Sequence, residues 1–297
     1  MMKIRMTNNI LMKSASFLSI ATALSLIIVK CVSFRMTNSL AILSSFMDSV
    51  LDLGASLVNF IAVYQALIPA DKNHRFGHGK AEALGSLVQS IIIAVSGGCL
   101  LYEAYSHFVN PQVLTNFDVG FWVMCASIMM TLCLVWYQRY VIRKTNSLSI
   151  YADNAHYTGD ILMNVGVIVS MFFSYVLEWV YVDVLFAVGV AFYLFFVSFK
   201  VLVAALGILM DAELPKKIRS DIRKAVLKHP KVKGLGDLRT RNTGSHQFVQ
   251  FEVQLKSTLS LVETHTVCTE LEKKIKKILP NAETFIHPEP FRHERSL

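Results

Sequence analysis

Two regimes of hydrophobicity divide this chain. Up to about residue 210, apolar residues come in long runs separated by short polar connections. Six of these runs reach the roughly 20 residues that a membrane helix needs: about 14–34, 41–67, 84–108, 117–142, 150–178 and 183–209. From Asp211 onward the periods shorten. Pro215 to about His229 has the pattern of an amphipathic helix opened by an N1-type proline. The stretches KVKGLGDLRTRNT and HQFVQFEVQLK read as strands. In the second, Val249, Phe251, Val253 and Leu255 fall on one face, and Phe248, Gln250, Glu252 and Gln254 on the other. A second amphipathic helix spans about 260–279, and AETFIHPEP closes the chain as a short strand. The expected architecture is a six-helix transmembrane domain, residues 1–210, followed by a small α+β sandwich, residues 211–297.

Composition sharpens this division. Of the 297 residues, 54% are hydrophobic and 17% charged, against about a quarter charged in a soluble domain. The net charge of +8 does not mark a nucleic-acid binder. Outside the last domain, Lys and Arg stand mostly at the ends of apolar runs, where membrane topology accounts for them. The first run follows Lys3, Arg5 and Lys13 like a signal peptide. However, the chain continues KCVSFRMTNS with no small-residue cleavage site, so a retained helix is expected. Cys31, Cys99, Cys125, Cys133 and Cys268 form no C-x-x-C pair, and four of them lie in apolar runs as small hydrophobes.

Loop charges orient the spans. Lys3, Arg5 and Lys13 precede the first span; Lys72, Arg75 and Lys80 fill the second connection; Arg139, Arg143 and Lys144 mark the fourth. On the other side, the first connection offers Arg35 with Lys30 just before it, and HFVNPQVLTNFD and LEWVYVD carry no Lys or Arg. Both termini are therefore expected in the cytoplasm, with Asn110–Pro111 and Trp179–Tyr181 at the opposite interface.

Inside the apolar runs the costly residues are paired. FMDSVLDLG carries Asp48 and Asp52 one helical turn apart, and YADNAHYTGDILMN carries His156 and Asp160 at the same spacing. Each pair projects from one helix face. Brought together they offer three carboxylates and one imidazole, a complete tetrahedral set for Zn²⁺ or a similar dication. The metal would neutralise charge that costs ~2.5–3.5 kcal/mol per residue at the bilayer centre. Asn59 and Asn164 lie one to two turns beyond as polar lining, and Lys30 is a second partner open to the carboxylates. Four protein ligands leave no open coordination position for a reacting water, and no H-E-x-x-H occurs. The only Glu in either run is Glu178, at the far end. A waypoint for a transported ion fits better than a catalytic zinc.

The D-x-x-x-D and H-x-x-x-D pairs, six spans and an α+β tail resemble the cation diffusion facilitators, most closely the bacterial zinc and ferrous-iron efflux type. PADKNHRFGHGKAEALGSL and DLRTRNTGSHQFVQF extend the likeness over nearly the whole chain. The resemblance implies a tail of metallochaperone-like, ferredoxin-like type and a homodimer in the inner membrane. It implies export of Zn²⁺, with Fe²⁺ and Cd²⁺ in range, in exchange for protons, through Asp48, Asp52, His156 and Asp160. Crowded carboxylates in lipid repel one another, so protons can replace the metal as neutralising charge.

The resemblance also implies a loop metal site at Asp71, His74 and His78, and a charge interlock of Lys80 with Asp211 between the domains. In the tail it implies metal ligands at Glu252, His265, His287 and Glu289, although Gly236 stands where relatives carry His, Glu252 replaces another His, and Glu289 an Asp. A glycine side chain cannot ligate, so a reduced site or a mainly structural dimer interface is expected there. The competing functions are a membrane metalloenzyme, which would need an open metal position and a base, and a metal sensor without flux. A channel would need a weaker site than four ligands provide.

Overall fold

The computed structural model describes residues 2–37, 40–109, 118–177, 182–244 and 246–291. Asn110, Pro111, Glu178 and Trp179–Tyr181 lie outside them. The chain divides into two compact units, residues 2–206 and 207–297.

The first unit consists of six long helices: α1 (Met2–Thr37), α2 (Leu40–Ala66), α3 (Lys80–Val109), α4 (Asp118–Thr145), α5 (Leu148–Leu177) and α6 (Val182–Leu209). Among the described residues, five are long and apolar enough to cross a membrane. The other, α5, has 30 residues, ample at 1.5 Å per residue, but carries Asp153, His156 and Asp160 in its first half.

Burial in this unit is inverted relative to a water-soluble protein. Phe17, Leu51, Trp122, Trp136 and Phe196 are exposed, whereas Ser16, Ser19, Ser56, Asn59, Ser86 and Gln138 are buried. Helices in lipid gain nothing by hiding Leu from water; they associate through close approach of small residues and through hydrogen bonds. Gly85 shows the first device, since a Cβ there would overlap the Cβ of Ala62 and force α2 and α3 apart. Lys30 shows the second, donating to the Ser45 carbonyl at 2.9 Å and the Ser49 hydroxyl at 2.7 Å on α2.

The second unit orders α7 (Lys216–Leu227), β1 (Val232–Asn242), β2 (Gln247–Leu255), α8 (Leu261–Ile278) and β3 (Ala282–Pro290). Its sheet runs β1-β2-β3, antiparallel then parallel, as a crossover through α8 requires. Val249, Phe251, Val253 and Leu255 meet Ile222, Val226, Val267, Leu271 and Ile275 in one core. Pro215 proves to be the N-cap, one position before the helix. Helix α8 starts with a capping box. The Glu263 amide donates to Ser260 Oγ, and the Ser260 amide returns to Glu263 Oε2. That bond, foremost, holds the Glu263 carboxyl below its usual range. Phe248, expected on the polar face, is buried because Phe285 stacks on it and the Arg241 guanidinium lies 4.9 Å from its ring centre.

Candidate metal centre

The i, i+4 spacing on α2 and α5 brings three of the four residues together. Asp52 Oδ1 lies 2.9 Å from His156 Nε2, which lies 3.8 Å from Asp160 Oδ2. All three ligating atoms fall within 4.8 Å of one another. Tetrahedral ligands at ~2.0 Å from a zinc ion stand about 3.3 Å apart, so these atoms need only small adjustments around a cation. His156 is buried and Asp160 the most open of the three. Asp48, one turn earlier on α2, is exposed and stands outside this group. Asn59 does not line the cluster: its Oδ1 accepts from the Ser149 hydroxyl at the start of α5.

What holds α5 in place is a set of buried polar contacts that no sequence motif marks. Glu82, on α3, accepts from the Ser147 hydroxyl at 2.5 Å and from the Ser149 amide at 3.3 Å. It thus places an acceptor and a negative charge at the N-terminus of α5, where free amides and the helix dipole favour both. Tyr157 shares a 2.8 Å hydrogen bond with Ser56 on α2. Asp153 accepts from Ser19 on α1 and Gln138 on α4. The available signal was an acidic residue inside an apolar run, which applies to Asp153 as much as to Asp160.

In the connection between α2 and α3, Asp71, His74 and His78 form a second group. Asp71 Oδ1 lies 3.7 Å from His74 Nδ1, and its Oδ2 lies 3.5 Å from His78 Nε2. Asp71 Oδ1 also accepts from the amides of Asn73 at 2.8 Å and His74 at 2.6 Å. The His74 amide bond, first, holds the Asp71 carboxyl below the usual carboxylate range. A depressed value means the negative charge is fully present above the ordinary Asp value of about 3.9 and is lost only at still lower pH. Asp71 is therefore ionised at neutral pH, and Asp71→Asn is expected to weaken Zn²⁺ binding at the proposed loop site there. Zn²⁺ titration of the full chain measures this; unchanged binding would remove Asp71 from the group.

The tail residues do not converge in one chain. Glu252 and His287 are register partners on β2 and β3, and His287 Nε2 lies 3.8 Å from Glu289 Oε1. These three lie on the sheet face away from the helices. His265 is exposed on α8, whose buried face packs against the other side of the sheet. Gly236 is not a bare deletion of a ligand. A Cβ there would come within 2.6 Å of Glu252 Oε2 and 2.9 Å of Glu252 Cβ, so the glutamate occupies the space above it. Gly236→His alone is thus expected to destabilise this unit by ~1–3 kcal/mol through overpacking, with a smaller loss when Glu252→Ala accompanies it. Urea denaturation of the two variants compares them, and equal stability would contradict this packing. Lys80 opens α3 in the first unit; in the second, Asp211 lies in the turn two residues past the end of α6, at φ 55, and pairs with Arg241 at 3.4 Å.

Comparison with known proteins decides the family. Residues 16–210 match the cation efflux transmembrane domain, and residues 214–291 match the cytoplasmic domain of cation efflux proteins. The chain belongs to the cation efflux family. It is therefore a cation diffusion facilitator, a multi-pass membrane transporter of metal cations and not an enzyme. It is 36% identical over 280 residues to the cation-efflux pump FieF of Klebsiella pneumoniae, covering 94% of this chain and 93% of that protein. The same figures hold for FieF of Escherichia coli O1:K1. The metal-bound C-terminal domain of the CzcD transporter from Thermotoga maritima aligns at 20% identity, over 28% of this chain and 100% of that one, with a TM-score of 0.26. The match to the family's dimer domain supports a homodimer.

Proposed function

We propose that this protein exports Zn²⁺, and also Fe²⁺ and Cd²⁺, from the cytoplasm across the inner membrane in exchange for protons, with both termini cytoplasmic. One observation carries the reading. Asp52, His156 and Asp160 converge in the helical unit of a cation efflux protein, and two of the three groups are acids with no Lys or Arg ion pair among the described residues. Asp48, on the same helix, supplies the fourth ligand, a third carboxylate oxygen, when a cation arrives. The FieF proteins, named cation-efflux pumps, point the same way.

Protons enter through charge balance. Carboxylates gathered in a poorly solvating interior need a neutralising partner, and a metal can occupy the site only by displacing the protons that serve in its absence. The loop group at Asp71 gathers cations on the cytoplasmic side, and the tail dimerises and carries a reduced metal site of Glu252, His287 and Glu289. Inverted vesicles holding a zinc indicator test the exchange. Zn²⁺ uptake should rise when the lumen is acidic and stop when the gradient is collapsed. Uptake indifferent to the gradient rules out the antiport, and no uptake at all favours a sensor without flux.

A further inference from the structure

We infer that Asp153 is a counter-charge of the intramembrane metal site: a carboxylate that does not ligate the cation but holds it in place by its field. The inference rests on the assignment of His156 and Asp160 to that site. Asp153 is fully buried. Its Oδ2 accepts from Ser19 Oγ at 2.6 Å and from Gln138 Nε2 at 2.7 Å, and a 3.0 Å bond from Gln138 to Ser19 closes the triangle. Asp153 Oδ1 is buried with no hydrogen-bond partner among the described residues.

This arrangement wastes an ion if hydrogen bonding is its purpose. Both donors end on one oxygen, and the carbonyl of a neutral asparagine would serve them equally well. A buried carboxylate is costly unless a positive charge compensates it, yet no Lys or Arg pairs with Asp153 among the described residues. The position names the compensating charge. Asp153 precedes His156 by three residues and Asp160 by seven, so all three share one face of α5. The Cβ atoms of Asp153 and His156 then stand one helical turn apart, ~5–6 Å, so a cation held by Asp52, His156 and Asp160 lies on the face that Asp153 shares. At that range, away from water, the attraction is weakly screened. Asp153 itself stays out of the ligand set because Ser19 and Gln138 tether it.

The test separates charge from hydrogen bonding, using the full chain in proteoliposomes with Zn²⁺ as the ion. Asp153→Asn keeps the size and the acceptor but removes the charge. It is expected to raise the KM for Zn²⁺ about tenfold, the lower end of what losing an outer partner of a metal site costs, with an unchanged melting temperature. Ser19→Ala removes a hydrogen bond but leaves the charge, and is expected to leave KM unaltered. An Asp153→Asn protein with the wild-type KM overturns the inference. Should that variant not yield folded protein, Ser19→Ala decides alone: a raised KM there would mark Asp153 as a hydrogen-bond anchor. His156→Ala runs alongside. If it still transports, the site assignment fails; if it is inactive while Asp153→Asn keeps its KM, only the counter-charge fails.

Discussion

Replacing Asp52 by alanine is expected to abolish metal flux while leaving a folded dimer. Asp52 Oδ1 makes the shortest contact in the intramembrane group, 2.9 Å to His156 Nε2, and joins α2 to the ligand pair on α5. On the proposed assignment its removal takes away a ligand and a negative charge together. A lost outer partner already costs ~10–100-fold in affinity, so loss of the ligand itself should cost on the order of 100-fold or more in flux at low Zn²⁺. The fold should tolerate the change. Glu82, Ser56, Asn59 and Tyr157 hold α5 against its neighbours through other bonds, and none of them uses Asp52. Zinc-indicator flux in proteoliposomes, beside size-exclusion and melting data, makes the check. Flux above about a tenth of wild type from a well-folded variant would remove Asp52 from the site.

Much of this was legible in the sequence because two periodicities are strong. Apolar runs of membrane length marked the helices, and the alternation from Val249 to Leu255 marked the core strand of the tail. Spacing of four placed Asp48 with Asp52 and His156 with Asp160, and a shared cation would account for two such pairs in apolar surroundings. What stayed hidden depends on how neighbouring helices are rotated and how far they slide along one another. Glu82 is an unremarked acid at a helix start until the Ser147 and Ser149 donors meet it. Lys30 was open to the carboxylates by charge alone; its hydrogen bonds go to Ser45 and Ser49, from where its charge still acts on Asp52 and Asp160. In the tail, single positions could not show that the sheet separates His265 from Glu252, nor that Glu252 fills the space over Gly236. A ligand list transferred position by position carries no information about such compensation.

Asp48 gives the second large effect, and a different one. It shares a helix face with Asp52, yet it is exposed and lies outside the three-residue group. If it joins only as the cation binds, Asp48→Ala leaves three ligands and a site still recognisable to metal. The expected result is a KM for Zn²⁺ raised about tenfold, with maximal flux falling less than in Asp52→Ala. Asp48→His tests the same position by chemistry. It restores a fourth ligand but exchanges an oxygen for an imidazole nitrogen, which suits Zn²⁺ better than oxygen-preferring ions. Recovered Zn²⁺ flux with weakened competition by Mn²⁺ would follow from a ligand at position 48. Wild-type kinetics in Asp48→Ala would instead mean a three-ligand site completed by water. A loss as deep as that of Asp52→Ala would mean that Asp48 is bound throughout the cycle, and that the separation of Asp48 from the group belongs to a metal-free arrangement of α2.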